Sequence, residues 1–61
     1  MSNPTEEIKH FINVTENASG DDKNNCYFTT LGMIHMANVN NLIPYLTLKE
    51  LENKLISVRG W

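Results

Sequence analysis

The sequence predicts an all-α domain of two or three short helices, completed by dimerisation. Three observations carry this. Asn3-Pro4-Thr5-Glu6 is a well-marked helix start, and Thr47-Leu48-Lys49-Glu50 is a second one, each followed by apolar residues at helical spacing. Between them, the 22 residues from Cys26 to Thr47 contain no Asp, Glu, Lys or Arg and hold most of the large apolar side chains. The third observation is what the chain lacks. Its 61 residues bury only about 60% of their unfolded surface. One cysteine excludes an intrachain disulfide, and two histidines with that cysteine do not cluster into a zinc site. Self-association is the remaining stabiliser for a domain of this size. The alternative is an α+β arrangement, a β-hairpin over residues 8–34 followed by a C-terminal helix.

Residues 1–61 form one small domain without internal repeats. In the first helix Asn3 caps, Pro4 occupies the first helical position, and Glu6 favours the positive helix end. Ile8, Phe11, Ile12 and Thr15 then share a face, although Ile8, His10, Ile12 and Val14 also alternate as a strand would. Glu16 to Asn25 is read as a loop, rich in Gly, Ser, Asp and Asn. Gly20 would close the first helix there, and Asp21 or Asp22 would cap the second.

The uncharged run is ambiguous. As a helix it aligns Phe28, Leu31, His35, Val39 and Leu42, with Gly32 and Ile43 beside them, and leaves Met33, Ile34, Met36 and Ala37 off that stripe. A helix apolar on more than one side needs more than one neighbour. As a strand, Cys26-Tyr27-Phe28-Thr29-Thr30 has strong β propensity. Pro44 ends or kinks the helix. The last helix should span Leu48 to Val58, with Thr47 and Glu50 as a capping box and Leu46 and Leu51 as a hydrophobic staple. Its apolar stripe is Leu48, Leu51, Leu55 and Val58, Glu50 and Lys54 are spaced to pair, and Gly60 is a stop. Leu46 to Gly60 resembles the opening of a helix-turn-helix, but no residues remain after Trp61 for a reading helix.

Few chemistries fit this composition. His35 lacks a partner nucleophile or ligand set at a useful spacing, so it reads as a core or interface histidine. His10 reads as solvent-facing. Cys26 reads as a small buried residue. Glu6 with Glu7, and Asp21 with Asp22, read as solvated or capping carboxylates. No catalytic set, metal site or cofactor is expected, and the chain is read as non-enzymatic. Net charge is −2, mildly acidic over residues 1–25 and balanced afterwards, so nucleic acid is a disfavoured partner. Asn38, Asn40, Asn41, Gly32, His35 and Pro44 interrupt the uncharged run, which argues against a membrane span. The lone cysteine and the absence of a signal-like N-terminus fit the cytoplasm. Nine asparagines suggest an AT-rich genome, bacterial or viral.

The function expected is that of a protein–protein interaction module, one that binds and regulates or inhibits a partner, in the manner of bacterial or phage accessory regulators. The partner-binding candidates are Tyr27, Met33, Met36, Tyr45 and Trp61: adaptable methionines and aromatic anchors in or beside the uncharged stretch. The rival reading is a dimeric DNA-associated transcriptional modulator.

Overall fold

In a computed structural model, which describes residues 3–60, three helices run antiparallel in sequence order: α1 (Pro4–Asn17), α2 (Gly20–Val39) and α3 (Tyr45–Arg59). Each packs on the other two. The hairpin alternative is thereby excluded for 8–34, which is helical apart from Ala18 and Ser19.

Helix α1 forms as its sequence dictates. The Asn3 side chain accepts from the Thr5 and Glu6 amides at 2.9 and 3.4 Å, with Pro4 following. Ile8, Ile12 and Thr15 are buried, while Phe11 remains partly exposed at the edge of the same face.

The expected loop over Glu16–Asn25 is a correction. Only Ala18 and Ser19 lie between the helices, and Asp21 to Asn25 make the first turns of α2. Ser19, not Asp21 or Asp22, holds the N-cap position, and Gly20 opens α2 at φ +61° rather than closing α1. The polar run is compatible with helix because Asp21 and Asp22 face solvent beside the positive helix end.

The core face of α2 is also rotated from the one expected. Tyr27, Thr30, Ile34 and Ala37 point inward, with Leu31 and Met33 packed at the margin. Phe28, His35, Val39 and Leu42, members of the expected stripe, are exposed. The two stripes differ by about one residue, or 100°. With apolar side chains on every side of this helix, periodicity alone does not choose between them.

Helix α2 ends in a Schellman motif. The Leu42 amide donates to the Ala37 carbonyl at 2.8 Å and the Asn41 amide to Asn38 at 3.0 Å, with Asn41 left-handed at φ 60°. Asn38 Nδ2 donates to the Ile43 carbonyl at 3.2 Å, bracing the turn while Ile43 is buried. Helix α3 then begins three residues earlier than the capping box implies. Pro44 is its N-cap, its carbonyl accepting from the Leu48 amide at 3.0 Å, and Thr47 sits inside the first turn. Leu46 is exposed, so no staple to Leu51 forms. Leu48, Leu51 and Leu55 are buried and Val58 half-buried, as the stripe predicts, and Gly60 ends the helix in the left-handed region. Glu50 and Lys54 are solvated; Lys49 pairs instead with Glu52, at 3.4 Å.

Ile12, Ile34 and Leu55, one from each helix, lie at the centre with essentially no exposed surface. A buried polar contact sits among these apolar groups. Thr15 Oγ1 donates to the Phe11 carbonyl at 2.9 Å and lies 3.4 Å from Thr30 Oγ1, which places the Thr30 hydroxyl as the donor between α2 and α1. At the other side of α2 the Arg59 guanidinium stacks over Tyr27, 4.1 Å from the ring centroid, and reaches Phe28 at 5.4 Å.

Two stability predictions come from these features. Asn41→Gly should raise the thermal midpoint and Asn41→Ala lower it, the alanine costing about 1 kcal/mol for its Cβ in the left-handed region; paired melts read by circular dichroism test this. Thr15→Val alone, leaving the Thr30 hydroxyl without its acceptor, should cost about 1–3 kcal/mol, whereas the Thr15→Val/Thr30→Val double variant should recover much of the loss, as urea titration would show.

Candidate protein-docking surface

Apart from Phe28, which lies beside Arg59, the large exposed apolar side chains of the uncharged stretch fall around the α2–α3 connection. Leu46 is 76% exposed, Val39 71%, Tyr45 63%, and Met36 and Leu42 59% each. These positions fall within eleven residues of chain that contain no formal charge. The Schellman turn and the proline-capped start of α3 hold their backbone, so their exposure belongs to a hydrogen-bonded turn.

Beside this cluster a groove of about 240 Å³ opens between the first turn of α1 and the last turns of α2. Ile8, Ala37 and Met33 form its floor and wall; Met36 and Leu42 are shared with the exposed cluster; Glu7 and Asn40 supply polar rim atoms. Pro4 completes the lining. Flexible thioethers beside branched aliphatic groups suit an adaptable apolar contact. On the α3 side the Lys49 ammonium lies 5.9 Å from the Tyr45 ring centroid, so the aromatic face has a cation at its margin.

Of the five residues nominated from sequence, the structure brings Met33, Met36 and Tyr45 to this end. Tyr27 goes elsewhere: it is 7% exposed, in the core beneath Arg59. Trp61 lies outside the described residues. Val39, Leu42 and Leu46 join the surface, and sequence reasoning had put Val39 and Leu42 on a core stripe and Leu46 in a staple. Leu42 lies in the turn, while Val39 and Leu46 lie on helix faces that no other helix covers.

The titratable groups give no second centre. His35 is exposed and its Nε2 lies 3.0 Å from Glu52 Oε2, a bridge from α2 to α3 that Lys49 shares. His35 thus makes a surface hydrogen bond to Glu52 and does not lie in the core. His10 is exposed, its ring edge-on to Phe11. Cys26 is free and half-buried, in a smaller groove of about 190 Å³ with Phe11, Val14, Asn25, Thr29 and Thr30. Among the described residues no three His, Cys, Asp or Glu side chains converge as a metal site, and no helix is long and apolar enough to cross a membrane. Comparison with protein-family models, with curated proteins and with solved structures finds no match.

The contrast between exposed and buried aromatic or apolar positions is measurable. Leu46→Glu should leave the urea midpoint within about 0.5 kcal/mol of the parent, on the stabilising side because a carboxylate enters the first turn of α3. Tyr27→Ala should cost about 3–5 kcal/mol.

Proposed function

We propose that this chain is a non-enzymatic interaction module that binds a protein partner through the apolar α2–α3 end and thereby alters the partner's activity. The observation that carries this reading is the five-residue cluster of exposed large apolar side chains beside a ready groove. Such a patch lies at the upper end of what monomer surfaces expose, about 300–600 Å², and patches of that size are often functional. Recognition would rest on apolar docking, with Tyr45 as the aromatic anchor and Met33 and Met36 adapting to the partner's side chains.

A nucleic-acid role finds less support. Lys9 lies 3.8 Å from Glu6, Lys49 pairs with Glu52, and Arg59 is stacked on Tyr27, so three of the five cations are engaged within the fold. Duplex binding draws on cations collected on one face. We place the protein in the cytoplasm, where its single half-buried thiol stays reduced.

Affinity capture from native lysate with quantitative mass spectrometry tests the reading. The parent chain should enrich a defined protein, Leu46→Glu and Tyr45→Ala should each reduce recovery at least tenfold, and Glu16→Gln on α1 should not. Equal recovery by all four would remove this end of the bundle as the docking site.

A further inference from the structure

We propose that the apolar end is closed by a second copy of this chain, in a twofold dimer that occupies the same face as the target. The inference rests on the reading of this end as a docking surface, and names its occupant.

Three features select an identical copy. The first is charge. Each chain carries a net charge of −2, so two copies meet best where charge is sparse, and residues 26–47 supply the one long uncharged stretch in the sequence, with Glu7 and Lys49 only at the margins of the face. The second is shape. A twofold interface needs a surface complementary to itself. Here projecting groups (Leu42, Tyr45, Leu46) stand beside a hollow floored by Ile8, Met33 and Ala37, so the projections of one copy can fill the hollow of the other, reciprocally. The third is area. The five exposed side chains offer on the order of 600 Å², and the groove rim extends this toward the roughly 800 Å² per partner of a standard interface.

A shared face makes the two associations exclusive. The dimer stores the docking surface, and the target draws on the monomer; concentration of the chain then sets how much docking surface is open.

Sedimentation equilibrium of the purified full chain, from micromolar to millimolar, provides the test, with far-ultraviolet circular dichroism confirming that each variant is folded. The parent should dimerise, Leu46→Glu and Leu42→Glu should each weaken the dimer at least tenfold, and Ile56→Glu, on α3 away from this end, should leave it intact. Leu46 and Leu42 are both solvent-facing, so at least one charged variant remains folded for the measurement. A parent that stays monomeric at millimolar concentration overturns the second copy as occupant; the docking reading is then judged by its own capture result. A dimer that persists in both leucine variants, or that fails with Ile56→Glu in their place, overturns this face as the dimer interface.

Discussion

Helix α2 has apolar side chains around its whole circumference and only two helices to cover them. That mismatch governs the structure. Ile34 takes the fully covered position, flanked by Tyr27, Thr30 and Ala37, and the choice commits α1 and α3 to that side. Everything apolar on the remaining surface of α2 must then stay wet or find an outside partner. Arg59 deals with part of this by lying over Tyr27 and Phe28. Met36 and Val39, near the other end of the helix, have no such cover.

The α2–α3 turn adds to this instead of relieving it. Asn41 turns left-handed and Pro44 restarts the chain as a helix, and between them Ile43 is the one residue drawn into the core. Leu42, Tyr45 and Leu46 are left outside. A sequence free to mutate would lose little folding energy by making these three polar, because exposed positions contribute little to stability. The fold itself therefore does not require their apolar character, and the proposed docking role would account for it.

The legible parts of the sequence were those with a single local cause. Asn3 and Pro4 mark the start of α1 unambiguously, Gly60 the end of α3, and Leu48, Leu51 and Leu55 the inner face of α3. Where two signals competed, tertiary packing chose. Asp21 to Asn25 carry loop-forming side chains, yet two acids in a first turn also suit a helix. Thr47 and Glu50 match a capping box, yet Pro44 already supplies a start three residues earlier, nearly one full turn. The face of α2 was undetermined in principle, since a helix apolar all round has no preferred azimuth until its neighbours are placed. The docking candidates inherit this. Met33, Met36 and Tyr45 were reachable from composition, whereas Tyr27 was misplaced because its neighbour Phe28 is an equally good core residue one position away.

The structure also changes why a partner is expected. The argument from chain length holds that so small a domain cannot close a core unaided. Here Ile12, Ile34 and Leu55 are covered by residues of the same chain. The exposed surface of 4160 Å² matches the roughly 4,000 Å² that size scaling gives a compact 7.0 kDa monomer. The radius of gyration, 11.0 Å, is likewise close to the roughly 10.5 Å of a packed chain of this length. The case for association thus moves from an unfinished interior to an over-furnished exterior. An unfinished core would make folding and binding inseparable. Under the proposed function, a closed core with an apolar end would let the chain fold first and bind second, so that occupants could exchange at that end without loss of the fold.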